Sequence, residues 1–235
     1  MSKLKYKRVL LKLSGEALSS TSKRFAFDAI TELVKEVKQI SKDVQVAIVV
    51  GGGNIWRHRD FEASGVKRVD SDYIGMMATM INGAVFRNLF EQNGVDADVF
   101  SPFAIPHVID LYERNHALDA LEKGKVIVLA GGTGNPYFTT DTAAALRALE
   151  LGCEKIYKAT NVDYVYDKDP TKNKNAKSFK NLSYDQVLEK GLRVMDLTAI
   201  SLCKDGKIPV QVFNFRKKGN IKKVLSGGDL GTTIS

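Results

Sequence analysis

An α/β fold, three layers deep with a mostly parallel central sheet between two layers of helices, is predicted by two features of the sequence. Short apolar runs of strand character alternate with stretches of helical spacing along the chain, and such a βαβ succession builds parallel strands through crossover helices. Polar, glycine-bearing segments directly follow three of those runs, and sheets of this kind bind ligands beyond the carboxyl ends of their strands. The length agrees: 235 residues, 44% hydrophobic and 26% charged, suffice for a large core in a single domain, 1–235.

In chain order, 7-KRVLLKL-13 is the first strand, and the polar 12-KLSGEAL-18 overlaps its end. Residues 28-DAITELVKEVKQI-40 repeat apolar positions at three- and four-residue intervals, which predicts the first helix. A second strand, 44-VQVAIVV-50, runs into 51-GGGNIWR-57. The longest helical pattern, 73-YIGMMATMINGAVFRNLFEQN-93, stops at Asn93-Gly94, and 95-VDADVF-100 is the third strand. Helix 113-ERNHALDALEKG-124, ended by Gly124, precedes strand 125-KVIVLA-130; the segment 131-GGTGNPYFTTD-141 then opens helix 141-DTAAALRALE-150. Strand 154-EKIYKA-159, helix 196-DLTAISLCKDG-206 with Gly206 as its stop, and strand 208-IPVQVF-213 complete the series. Gly and Asn-Gly suit helix ends because they accept the left-handed backbone that terminates a helix.

Composition excludes several classes. The longest apolar runs are far too short for a bilayer, and 1-MSKLKYKRVLLKL-13 lacks the apolar core and cleavage site of a signal peptide, so a cytoplasmic protein is expected. Cys153 and Cys203 lack metal-ligand spacing and read as buried small hydrophobes. The formal net charge is +8, but the basic residues are spread along the chain without interleaved stacking aromatics, which fits solvated faces or a polyanionic small substrate better than nucleic acid.

A strand, a Gly-rich turn and a helix start bring unpaired N–H groups and a positive dipole end together, which suits a phosphate. Three such loops at one sheet edge point to a surface for several phosphates. The P-loop and dinucleotide patterns are both absent. Residues 58-HRD-60 mimic a protein-kinase catalytic loop, but Gly65 stands where that loop needs Asn, so the match is chance.

The segments KRVLLKLSGEAL at 7–18, GGGNIWR at 51–57, the Asp of 70-DSDYIGMMAT-79, GTGNPYFTTD ending at 141, KATNVD at 158–163, DP at 169–170, VMDL at 194–197 and VFN at 212–214 occur in this order. Together they make the chain similar to the bacterial uridylate kinases, the UMP-phosphorylating members of the amino-acid-kinase fold family. The resemblance implies transfer of the γ-phosphoryl of ATP to UMP, with Mg²⁺, in pyrimidine nucleotide biosynthesis, by a homohexamer in that family. The UMP side falls mainly in 1–150 and the ATP side in 151–235.

The resemblance also implies roles. Lys12, at the end of the first strand, reaches the transferred phosphoryl beside Leu13, Ser14 and Gly15. Gly52 and Gly53 lie between the nucleotides, Gly52 on the UMP side and Gly53 on the ATP side, and Arg57 forks onto phosphate oxygens, with a surface salt bridge as the bland alternative. Asp141 and Asp196 lie near the phosphates, orienting Lys12 or magnesium-bound water, with a helix N-cap as the bland alternative for both. Asp72 takes the UMP ribose, unless it merely caps the helix expected from Tyr73. Thr133, Gly134, Asn135, Pro136, Tyr137, Phe138, Thr139 and Thr140 form the UMP pocket, although aromatics beside a turn such as Tyr137 and Phe138 are more often core. Thr160 or Asn161, Tyr166 and Asp169 take the adenosine. Tyr164 stands where the family usually has Gly, which leaves the backbone of that loop open.

Two rival functions are an acyl-phosphate-forming kinase of the same fold and a non-catalytic nucleotide sensor or nucleic-acid-binding regulator. The GTGNPYFTTD segment with Asp72 favours a nucleotide acceptor over the first. The joint presence of Lys12, Arg57 and Asp141 argues against the second.

Overall fold

The runs expected as strands form one sheet in the computed structural model, which describes residues 5–20, 22–61, 65–192 and 194–235. In order along the chain, the elements are β1 (Arg8–Leu13), a 3₁₀ turn (Gly15–Leu18), α1 (Phe27–Lys38), β2 (Gln45–Val50), α2 (His58–Phe61), α3 (Arg68–Gln92), β3 (Ala97–Ser101), β4 (Asp110–Leu111), α4 (Arg114–Glu122) and β5 (Val126–Leu129). There follow α5 (Thr140–Leu151), β6 (Lys155–Thr160), β7 (Val165–Tyr166), β8 (Ser178–Phe179), β9 (Asn181–Leu182), α6 (Tyr184–Glu189), α7 (Leu197–Asp205), β10 (Val210–Asn214), α8 (Asn220–Leu225) and β11 (Thr232–Ile234).

Nine strands pair in the order β4-β3-β5-β2-β1-β6-β10-β11-β9, while β7 and β8 form a separate antiparallel pair. Every neighbouring pair in the large sheet is parallel except β10 with β11. The chain works outward on one side from β1 through β2, and on the other through β6, so the strand order reverses at β1. A crevice opens beyond the carboxyl ends of strands at such a reversal.

Strand alternation assigns the two faces. Val9, Leu11 and Leu13 pack with α1, α3 and α8 residues such as Val34, Phe86 and Val224. Leu10 packs on the opposite face with Ala144, Ala148 and Ile200 of α5 and α7. Lys12, two residues after Leu10, therefore belongs to the α5–α7 face at the very end of the strand. The same count holds on β6, where Ile156 is in that layer and Lys158 follows two residues later.

Helix α3 departs from expectation by starting at Arg68 rather than Tyr73. Arg68 and Asp72 form an ion pair four residues apart across its first turn, and Asp70 suits the positive helix start. α6, α8 and the two- and three-residue strands were not anticipated, being too short for periodicity to register. α6 nevertheless carries a capping box, Ser183 with Gln186, which the sequence 183-SYDQ-186 spells out. α3 also exposes Met77 and Ile81, which with Phe27, Ile105 and Val108 line an apolar groove of about 970 Å³. Among the described residues no helix is long and apolar enough to cross a membrane.

Candidate active site

Lys12 and Lys158 are direct neighbours in the parallel register of β1 and β6. Two ammonium groups side by side on one sheet face repel unless an anion lies between them. Asp141, in the first turn of α5, supplies it: Oδ1 is 2.7 Å from the Lys12 ammonium and Oδ2 is 2.6 Å from that of Lys158. The Lys158 ammonium also donates to the Val194 carbonyl. Burial pushes the Asp141 carboxyl upward, but the two ammonium groups outweigh it and hold the carboxyl below its ordinary value. Burial, helped by the Lys12 charge, lowers Lys158 despite Asp141. Lys158 is a site residue that sequence reasoning missed. Its signal was available: a lysine two residues past an apolar strand position, matching Lys12.

The cap alternative fails for Asp141 and holds for Asp196. The side chain of Thr139 caps α5, accepting from Asp141 and Thr142 N–H groups, so Asp141 lies inside the helix. Asp196 is the N-cap of α7, accepting from the Ala199 N–H at 2.8 Å. It also accepts from the hydroxyls of Thr142, at 2.9 Å, and Thr139. The cap of one helix is thus tied to the cap of the next, and the N-termini of α5 and α7 converge beside the lysines.

The three glycine-bearing loops follow β1, β2 and β5, which stand close together in the sheet. They interlock. A Cβ on Gly15 would fall 2.3 Å from the Gly53 nitrogen, and one on Gly52 would fall 2.8 Å from the Gly75 carbonyl of α3. The side chain of Asn82 donates to the Gly51 carbonyl at 2.7 Å and exchanges hydrogen bonds with Asn54, while the Gly131 N–H donates to Thr79 at 2.6 Å. Lys12, Ser14, Gly15, Gly52, Gly53, Arg57, Thr139 and Thr140 line one cleft of about 650 Å³. Arg57 is held there by Glu16, at 2.9 Å, and by the Gly53 carbonyl, at 2.6 Å. The side chain of Leu13 points away into the core, and its carbonyl accepts from the Gly51 N–H.

A smaller adjoining cavity, about 170 Å³, is lined by Gly52, Asp72, Thr133, Phe138, Thr139 and Thr140 among others. Asp72 is the fifth residue of α3, whose N-cap is Lys67, so the cap alternative for Asp72 is excluded. Its carboxylate accepts from Arg68 Nε at 2.8 Å and from the Tyr137 N–H at 2.8 Å. Gly134 has a φ of 84° and packs so tightly on Pro102 that a Cβ would lie 2.7 Å from it; only glycine fits the turn. Asn135 and Pro136 complete this turn, in which the Asn135 N–H donates to the Thr133 hydroxyl at 3.2 Å. The core alternative for the two aromatics fails: Tyr137 is 67% exposed and Phe138 47%. Tyr137 itself has a φ of 70°, and the Arg68 guanidinium covers its ring at 5.6 Å.

A third pocket, about 540 Å³, lies beyond β6 and is lined by Thr160, Tyr164, Tyr166 and Asp169 with Lys190 and Val212. Tyr164 and Tyr166 meet edge to face, with centroids 6.5 Å apart. The backbone at Tyr164 is not left-handed, so a side chain is accepted there without strain. Asn161 is drawn aside, accepting from Arg216 Nε at 3.1 Å.

A model of the amino acid kinase family matches residues 7–214. The solved structure of UMP kinase from Bacillus anthracis superposes with a TM-score of 0.94 at 35% identity, covering 98% of this chain and 96% of that one. UMP kinase from Ureaplasma parvum gives 0.93 at 36% identity, over 99% of this chain and 100% of the other. Uridylate kinase from Archaeoglobus fulgidus gives 0.75 at 29% identity, over 97% and 99%.

Proposed function

The chain belongs to the amino acid kinase family, and from that premise we propose that it is a UMP kinase, moving the γ-phosphoryl of ATP to UMP to yield UDP and ADP for pyrimidine nucleotide synthesis. The observation that carries this reading is the full-length likeness to two UMP kinases at 35% and 36% identity. The site's chemistry supports it: the cleft lined by Lys12 adjoins a smaller cavity lined by Asp72, and a further pocket beyond β6 is lined by Thr160, Tyr166 and Asp169.

The acceptor oxygen belongs to a phosphate whose second pKa is about 6, so it is substantially ionised near neutrality and needs no general base. The barrier is the meeting of two polyanions, and the chain's task is to align them and neutralise charge. Lys12 and Lys158 supply two fixed ammonium groups, and Asp141 holds both in place. Ser14, Gly15, Gly52 and Gly53 offer N–H groups, and Arg57 leaves Glu16 to fork onto phosphate. UMP lies along 133–140, with its ribose on Asp72 after Arg68 swings away. Adenosine occupies the pocket of Thr160, Tyr166 and Asp169, one tyrosine ring facing the base.

Magnesium arrives with ATP. Among the described residues no group of three acidic, histidine or cysteine side chains is placed to hold a metal, and Asp141 is engaged by two lysines. That donor set would fit an ion held chiefly by the nucleotide's own phosphates, as Mg²⁺ prefers, with Asp196 the carboxylate that would orient water on it. When bound, it neutralises phosphate charge. The family's homohexamer and the apolar groove on α3 together favour a homo-oligomer that buries this groove between copies. A coupled ADP-release assay across UMP, CMP, AMP and GMP, with carbamate and glutamate alongside, tests the reading. Turnover with UMP is expected; turnover with carbamate or glutamate in place of the nucleotides sinks it.

A further inference from the structure

His58 occupies the junction of the two cavities that face the phosphates. Five residues line both the small acceptor cavity and the cleft over Lys12: Gly52, Gly53, His58, Thr139 and Thr140. Among these five, only His58 has a titratable side chain. Its Nδ1 is buried and has no hydrogen-bond partner, whereas buried polar atoms are nearly always paired. The polar groups around it are otherwise committed: Arg57 to Glu16 and Gly53, and Asp72 to Arg68 and Tyr137.

The charges facing this junction come from several elements. Lys12 and Glu16 come from β1 and the turn after it, Arg57 from the loop before α2, and Arg68 and Asp72 from α3. Each of these cations already has a carboxylate partner, Lys12 in Asp141, Arg57 in Glu16 and Arg68 in Asp72. A bound nucleotide phosphate adds roughly two uncompensated negative charges, which favour a protonated imidazole beside it. A half-turn of the ring about its broad Cβ–Cγ torsion puts Nδ1 where Cδ2 stood and Nε2 where Cε1 stood, so the unpartnered nitrogen can turn out of its buried position.

We propose that His58 takes up a proton as UMP enters and donates a hydrogen bond to the acceptor phosphate, adding a cation where the two substrates meet. The proposal rests on the UMP reading, and it makes acceptor binding more pH-sensitive than the phosphate's own ionisation requires. The chemistry balances simply: one proton passes from buffer to the imidazole, and no covalent bond is made or broken.

The test is calorimetric titration of UMP into the full chain at pH 7.5 in two buffers of different ionisation enthalpy. Wild type is expected to take up a substantial fraction of one proton, and His58→Asn with an unchanged melting temperature is expected to take up none. The ratio of wild-type to variant kcat/KM for UMP should rise roughly 10-fold from pH 8.5 to pH 6, the range over which an imidazole becomes charged. Equal proton counts, or a ratio that does not vary with pH, overturn the proposal. Should the variant fold poorly, the His58 imidazole signal in the wild-type NMR spectrum decides alone: a shift toward the charged form on adding UMP supports the idea, and no shift overturns it. Absence of any UMP binding heat instead refutes the acceptor reading itself, together with the proposal that rests on it.

Discussion

Asp141 and Asp72 are two carboxylates clamped by cations at opposite ends of the proposed acceptor path, and by their own exposure they are indistinguishable, 14% and 15%. Their partners differ. Lys12 and Lys158 are 8% and 12% exposed and stand on adjacent strands, whereas Arg68 is 46% exposed on the first turn of a helix. The first cluster cannot rearrange without moving the sheet. The second rearranges with one side chain. A fixed arrangement suits charge that must be in place when a phosphoryl group moves, and an exchangeable one suits a site whose occupant alternates between a protein cation and a ligand.

The contrast breaks most severely at Asp141. Asp141→Asn leaves two buried ammonium groups facing each other, and loss of one member of a buried ion pair costs about 3–5 kcal/mol; urea denaturation should show that loss together with a collapse of kcat. The carboxyl lies below its ordinary value in the folded state. Its stabilisation is therefore present above the unfolded value of about 3.9 and lost as pH falls through the lower folded value. The variant should lack that acid-dependent component.

Lys12→Ala should lower kcat by roughly 10² to 10³, the effect of deleting one preorganised charge stabiliser, with little change in either Michaelis constant. Unchanged turnover would remove Lys12 from the mechanism. At the other end, Asp72→Asn should raise the UMP Michaelis constant roughly 10- to 150-fold, matching charge-assisted hydrogen bonds worth about 1.5–3 kcal/mol. The ATP constant should not move. A shift in both constants would mean that Asp72 acts through α3 rather than on the ribose.

Lys155 sharpens the comparison from the far end of β6, because it is a buried lysine that, among the described residues, forms no ion pair with a carboxylate and feels Asp229 only at a distance. Its ammonium lies 5.5 Å from each of the Tyr6 and Tyr157 rings, and burial, with Lys5 nearby, brings it down to about 8. The folded chain therefore holds this proton less tightly than the unfolded one, so stability should rise as pH goes from about 8 to the ordinary lysine value of about 10.4. Lys155→Met should flatten that rise in denaturation midpoints measured across this range. The smallest effect is expected for Arg68→Ala, about 0.3–0.5 kcal/mol as for other exposed helix pairs. A loss several times larger would show that the Arg68–Asp72 pair is as fixed as the lysine cluster.

The buried parallel strands were legible because strands covered on both faces read as continuous apolar runs; β2 and β5 follow that rule, and β1, β6 and β10 keep to it apart from Lys12, Lys155, Lys158 and Gln211. Their carboxyl-end loops were legible because glycine, Asn135 and Pro136 mark turns directly. Lys158 went unassigned since one lysine after an apolar run reads as a strand end, and its meaning comes only from sitting beside Lys12 in register. The start of α3 was misplaced because Arg68 and Asp72 look like loop residues until their ion pair closes a helical turn. For Tyr137 and Phe138 the choice between pocket and core stayed open, because burial depends on which way a turn faces, and local sequence does not encode that.

The antiparallel strand β11 lies between β10 and β9, pairing Ile234 with both Val210 and Leu182. On a ribosome, residues 181 and 182 emerge some fifty positions before the strand that receives them, so β9 has no place in the large sheet until β11 is made. One edge of the sheet is thus completed last, after the β1–β6 cradle that aligns Lys12 with Lys158 is already available to form. A nascent chain halted before residue 232 would leave the outer edge of β10 unpaired, and an open edge of that kind invites association with other chains. Adding an unattached peptide that copies residues 230–235 to a chain truncated at 229 should therefore restore solubility, as a missing strand does when it is returned.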